Sequence, residues 1–292
     1  MNAFSLHCPP ARGATRGANL FHSFLEFNVG EGREVYFANP AGIENIMSRV
    51  TGGNASNILG RLGVLGGANL FLLNPNGILF GPNASLDIQG SFVGSTADGI
   101  QLGEDGFFSA TEPHQSQLLS VDPGVLFYNQ VANHPGSIIN RGNLAVGKDL
   151  TLSAGNLDLQ GQLFAGGNLT LQGLNAVQIR DSVANPFIAA ARGSLLVQGN
   201  QTVDIFALSH PNSGLFSGGN MVLRSANTVS GDAHYWSGGS FRIEQLDGSL
   251  GGLFSPNDLV IRANGDVALN SYTGASLHIL AGCKMMSTSA AL

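Results

Sequence analysis

Seven times between residues 147 and 279 the chain repeats one short template: turn-forming residues, a small polar residue, then apolar-x-apolar. The first apolar positions are Leu150, Leu169, Leu195, Met221, Phe241, Leu259 and Leu277, at intervals of 19, 26, 26, 20, 18 and 18. A period near twenty with one strand per unit predicts a stacked β-solenoid, and the longer intervals mark inserted loops. Alternation buries one face of each strand. Leu150 and Leu152, Leu169 and Leu171, Met221 and Leu223, Phe241 and Ile243, Leu259 and Ile261, and Leu277 and Ile279 are therefore expected to point inward. One unit has too few apolar side chains to stand alone, so each must stack on its neighbours.

The residue before each strand is Asp149, Asn168, Ser194, Asn220, Ser240, Asp258 or Ser276, a column of short polar side chains at one corner. A ligand or calcium ladder is one reading. Calcium requires converging carboxylates, and two of the seven positions carry one. Turn chemistry, in which Asn, Asp and Ser bond their own backbone, is favoured.

Composition supports an all-β reading. The chain has 41 glycines among 292 residues and 26 asparagines, with only 11% charged residues, too few to clothe amphipathic helices. A net charge of −6 and a pI near 5.5 offer no basic field to nucleic acid. No apolar run reaches 18 residues, so no transmembrane helix is expected. Cys8 and Cys283 are too isolated for a disulfide framework or a metal-ligand spacing, and no cofactor is implied.

The stretch from Asn19 to Ile100 is the other informative region. At its centre Phe71-Leu72-Leu73 and Ile78-Leu79-Phe80 flank Asn74-Pro75-Asn76-Gly77, a sharp turn between two short strands. Around it stand Asn19-Leu20-Phe21-His22-Ser23-Phe24, Glu26-Phe27-Asn28-Val29, Val35 to Ile43, Asn69 to Pro82, Gly90-Ser91-Phe92 and Ser95-Thr96-Ala97-Asp98. These segments, in this order, resemble the secretion domain (haemagglutination activity domain) at the front of filamentous haemagglutinin-like exoproteins of the two-partner secretion pathway.

The resemblance implies a right-handed parallel β-helix, a single-stranded solenoid with short extra-helical hairpins or loops. It also implies an outer-membrane β-barrel transporter as partner, whose periplasmic domains recognise the chain. Asn74, Pro75, Asn76, Gly77 and Ile78 match the family's NPNGI motif and are the candidate recognition residues, with Asn39 and Pro40 in a second turn of similar make. The turn at Asn74 can equally be an ordinary corner of the fold, and for the turn at Asn39-Pro40 that structural reading is favoured. The family's companion NPNL motif has no verbatim match.

On this reading residues 1–18 are a leader, 19–225 the secretion domain, 226–282 the start of a repetitive shaft and 283–292 an irregular tail. The leader has no apolar h-region and the pattern breaks after Gly282, so a truncated, surface-displayed adhesin-like exoprotein is expected, secreted through the outer membrane. Its downstream contacts would be cells or matrix glycans.

Two rival readings remain. The chain can be the front part of a contact-dependent toxin exoprotein, or a parallel β-helix polysaccharide lyase or hydrolase. Acid/base chemistry would need clustered carboxylates with a cation, for which Asp181 with Arg180, or Asp232 beside His234, Tyr235 and Trp236, are the candidates. Trp236 would stack on a sugar or else pack beneath its loop. The seven histidines show no metal-ligand pair, and an enzyme is not expected.

Overall fold

The computed structural model describes residues 5–8, 13–104, 106–118, 123–127, 136–282 and 285–290, with side chains over 13–104, 106–118 and 136–282. The chain forms two compact units, Met1–Gly155 and Asn156–Leu292. Both are all-β and dominated by parallel pairings. Among the described residues the helical element is one 3-10 turn, Pro113–Gln115. No described helix is long and apolar enough to cross a membrane.

In the first unit Asn19–Phe24 pairs in parallel with Asn45–Val50, which pairs with Asn69–Leu73, then Phe92–Ser95, then the strand starting at Leu150. That register sets Leu20, Ile46, Leu70, Phe92 and Leu150 in one column, all fully buried. A second ladder joins Glu34–Ala38, Arg61–Leu65 and Ser85–Asp87. A third joins Ser56–Ile58, Ile78–Phe80 and Ser137–Asn140. Parallel strands cannot be joined by tight hairpins, and each ladder recruits a strand only after the chain has visited the others.

Residues assigned to the leader join this sheet: Ser5–Cys8 runs parallel to Glu34–Phe37, and Ala14–Arg16 folds back antiparallel on Asn19–Phe21 around Gly17. An antiparallel sheet departs from the ladders, with Gly99–Leu102 between Gly106–Ser109 and Pro123–Phe127. Ile100, Leu102 and Phe108 pack on Phe21, Met47 and Leu73. Asn19–Phe24 is thus buried on both faces through its first four residues, which an alternating pattern does not anticipate.

In the second unit Leu169, Leu195, Met221 and Phe241 stack in register, as the template requires. The final two members do not follow. Phe241 pairs with Val267, and Val267 with Met285. Leu259 and Leu277 pair with each other in a different ladder, whose column runs Leu163, Ala189, Leu215, Tyr235, Ile261, Ile279. Apolar-x-apolar recurs on every buried face, so the spacing alone cannot say which face a strand belongs to.

The inward register holds, with Leu150, Leu152, Leu169, Leu171, Met221, Leu223, Phe241, Ile243, Leu259 and Ile261 all buried and Leu277 and Ile279 half-buried. Met285–Ala290, expected to continue no repeat, pairs in parallel with the strand before it. Cys283 and the Cys8 side chain lie outside the described residues.

Candidate recognition site

The turn at Asn74–Gly77 closes through a bond from Gly77 N to Asn74 O at 3.0 Å. Gly77 adopts φ +122°, a region open to glycine. The Asn74 side chain is fully buried and saturated. Its Nδ2 donates to Asn54 O and Ser56 Oγ, each at 3.0 Å, and its Oδ1 accepts from Asn76 N at 3.0 Å. Asn76 Nδ2 reaches Gly52 O at 2.7 Å. The turn is thereby tied to the row below it.

It is tied equally to the row above. Gly136 N donates to Pro75 O at 2.9 Å, and a Cβ at Gly136 would lie 2.5 Å from the Asn76 carbonyl carbon and Gly77 N, so only glycine fits there. Of the five motif residues, Asn74, Gly77 and Ile78 are buried, Pro75 is half-buried and Asn76 is exposed. The outward surface of the motif is therefore Pro75 and Asn76.

Asn39 and Pro40 are half-buried. With its amide oriented to satisfy both ends, Asn39 donates to Ile43 O at 2.9 Å and accepts from Ala68 N at 3.1 Å. Ile43 N closes the turn on Pro40 O at 3.1 Å. Both turns use an Asn-Pro step in the same way, with the asparagine holding the adjoining row.

The polar column is real but differs from the expected turn chemistry. Its members bond the next row rather than their own backbone: Ser194 N donates to Asn168 Oδ1 and Ser240 N to Asn220 Oδ1, both at 2.9 Å. Asp266 N then donates to Ser240 Oγ at 3.2 Å, so Asp266 takes the place expected for Asp258. The first unit carries the same device, missed in the sequence. Asn45 Nδ2 donates to Asn19 Oδ1 at 3.0 Å, Asn69 Nδ2 to Asn45 Oδ1 at 2.9 Å and Ser91 N to Asn69 Oδ1 at 2.9 Å. Asp149 N then meets Ser91 Oγ at 3.2 Å, across 58 residues that include the antiparallel insertion.

The candidate catalytic groups are dispersed. Arg180 pairs with Asp204, whereas Asp181 Oδ2 accepts from His210 N at 2.8 Å and Ser213 Oγ at 2.7 Å. Asp232 is buried and accepts from Ser255 Oγ, Asn257 N and Asn257 Nδ2. Strand alternation sends Tyr235 inward, fully buried, and leaves His234 and Trp236 outward. Burial, with Asp232 nearby, pushes the Tyr235 hydroxyl far above its usual value.

Trp236 is 54% exposed and does not pack beneath a loop. It lines a groove of about 380 Å³ with Phe216, His234 and Arg262. Phe216 and Arg262 are its partners on the two flanking strands. The sequence signal for both was available: Phe216, Trp236 and Arg262 are spaced 20 and 26 residues apart, intervals that also separate rows of the apolar ladder.

Comparison with known proteins places this geometry in context. The family model for the TPS secretion domain matches residues 7–243. Two heme/hemopexin-binding proteins of Haemophilus influenzae are 38% identical over 80 residues and 34% identical over 79 residues. Each match covers 27% of this chain and 8% of the relative, so only a small part of those proteins is shared. Among solved structures, the HMW1 secretion domain from Haemophilus influenzae aligns over 95% of this chain and 96% of its own, at 14% identity and a TM-score of 0.43.

Proposed function

Because the chain belongs to the TPS secretion domain family, we propose that it is the export-directing part of an adhesin-like exoprotein, recognised by an outer-membrane β-barrel transporter through the turn at Asn74–Ile78. Membership in the family implies secretion through the outer membrane. The structural observation that carries the finer reading is the division of labour within the turn. Asn74 is consumed by bonds to the row below, while Pro75 and Asn76 face outward at a place where an incoming chain would present an extended segment to periplasmic domains by β-augmentation.

The same reading gives the ladders their handedness. Parallel strands connected through crossovers are right-handed in about 98% of cases, and we infer that the three ladders wind as a right-handed parallel β-helix. A row in such a fold is stable only against its neighbour. The rows around Asn19–Leu73 would emerge first and serve as the template on which later rows fold.

Heme or hemopexin binding is what the Haemophilus relatives are named for, but the shared segment is 8% of their length, and we assign it to export. The buried or paired state of Asp181, Arg180 and Asp232 favours a non-enzymatic role.

The test is export of this chain behind a working signal peptide, in cells carrying a two-partner outer-membrane transporter. Asn76→Ala is expected to lower the secreted fraction several-fold while the purified protein melts as the parent does. Equal secretion of both would remove the turn from recognition.

A further inference from the structure

We propose that the groove around Trp236 is a binding site for a carboxylated sugar, distinct from the export turn and independent of it. Its floor is a run of strands in register, Leu215–Ser217 on Tyr235–Ser237 on Ile261–Ala263. Phe216, Trp236 and Arg262 are outward residues on three consecutive strands, so their side chains rise from neighbouring rungs about 4.8 Å apart. Large aromatic faces held at that spacing provide apolar platforms for the faces of successive pyranose rings.

Charge then selects the class of sugar. Arg262 is the one charged residue lining the groove apart from the titratable His234, in a chain whose net charge is −6. Among the described residues its guanidinium makes no hydrogen bond or ion pair, whereas Arg180 and Arg224 are paired with carboxylates. A planar guanidinium beside an aromatic platform fits a carboxylate held in the plane of a stacked ring, as in a uronic acid. His234 and the indole N–H of Trp236 supply further donors, and among the described residues neither is engaged by another side chain. The groove volume of about 380 Å³ falls at the lower end of the range for small-molecule sites.

An acidic peptide is the competing occupant, and the fold argues against it. Gly214–Ser217 is paired on both sides, with Ile188–Ala191 and with Val229–Ser237. The next strand is likewise paired on both sides. No free strand edge lies in the groove floor to extend by main-chain hydrogen bonds, the mode that gives an extended peptide its affinity.

Trp236 is the only tryptophan in the chain, so its emission reports this site alone. We would titrate the full chain with trigalacturonate, with maltotriose as the uncharged control and a glutamate-rich peptide as the acidic one. The expected result is a saturable change in emission with trigalacturonate, weakened by about tenfold or more for maltotriose and for Arg262→Gln. Phe216→Ala, which keeps the reporter, is expected to weaken both sugars. Arg262 is exposed and Phe216 half-buried on the outward side of its strand, so Arg262→Gln should keep the parent melting temperature and Phe216→Ala should still melt cooperatively. Absence of any saturable response to trigalacturonate through the millimolar range overturns the site. Equal affinity for the neutral sugar, or for the charged sugar in Arg262→Gln, overturns the role of the carboxylate. Saturation by the peptide alone overturns the sugar.

Discussion

The Arg49 guanidinium carbon lies 4.5 Å from the centre of the Phe108 ring, joining the ladder strand Asn45–Val50 to the antiparallel insertion. The same group donates to Ser23 Oγ at 2.6 Å, Ser109 O at 2.5 Å and Ser116 Oγ at 2.6 Å. Burial lowers its pKa below the ordinary arginine value, a direction that still leaves it charged near neutrality. Arg49→Met keeps much of the stem and removes the fork. It should cost about 2 kcal/mol in urea unfolding, and residues 99–118 should become the first site of limited proteolysis. A variant as protease-resistant as the parent would show that apolar packing of Phe108 alone holds the insertion.

The asparagine ladder makes a separable prediction. Asn45 is buried, donating to Asn19 and accepting from Asn69. Asn45→Ala leaves both neighbours short of a partner and should cost about 2 kcal/mol. Asn45→Asp retains an acceptor for Asn69 but loses the donor to Asn19 and buries a charge facing that oxygen. It should be worse than alanine at neutral pH and partly relieved on acidification. Thermal melts of both variants at two pH values decide it.

His22 gives a pH dependence near neutrality. It is buried among Phe24 and Phe37, with ring centres at 5.9 and 5.4 Å, and among the described residues its Nε2 has no hydrogen-bond partner. Burial pushes its pKa below the ordinary 6.5. The unfolded chain therefore takes up a proton that the folded chain refuses, and stability falls as pH drops from the unfolded value toward the folded one. His22→Leu should flatten that limb of a stability-versus-pH curve. An unchanged slope would assign the loss to other groups.

Within the turn at Asn74–Gly77 the two asparagines should part company. Asn74→Ala orphans Ser56 and the Asn54 carbonyl and opens a buried polar site, so it should lower the urea midpoint by an amount corresponding to about 2 kcal/mol. Asn76 is exposed, and its bond to Gly52 O should contribute well under that. A secretion defect in Asn74→Ala would then follow from stability as well as contact, whereas one in Asn76→Ala would not. Measuring midpoint and secreted fraction on both variants separates the two causes.

Much of this architecture could be read from period-two alternation, because inward positions such as Leu169, Met221 and Phe241 carry it without interruption. What the alternation could not supply was the identity of the face. Leu259 obeys the same template as Phe241 yet lies on the strand whose Ile261 stacks on Tyr235, since each face is built from the same residue types. The ladder of Asn19, Asn45 and Asn69 escaped notice for a related reason. Its polar members open or immediately precede strands in the first half of the chain at separations of 26, 24, 22 and then 58 residues, the last stretched by the insertion. The turn at Asn74 was legible as a turn, but which of its side chains faces outward depends on hydrogen bonds to rows 18 to 24 residues away. Phe216 and Arg262 meet Trp236 only through register.

The column assignment can be tested by placing one charge at three positions. Leu169 is fully buried beneath Leu195, and Val267 is fully buried against Phe241. Aspartate at either would be an unpaired buried carboxylate, costing several kcal/mol, and should abolish cooperative melting. Thr170 is half-buried and lies on the face of its strand away from that core, so Thr170→Asp should melt nearly as the parent does. If Val267→Asp melted like Thr170→Asp, the Phe241 column would have to continue elsewhere, and Leu259, with the spacing first read from the sequence, would be the residue to charge next.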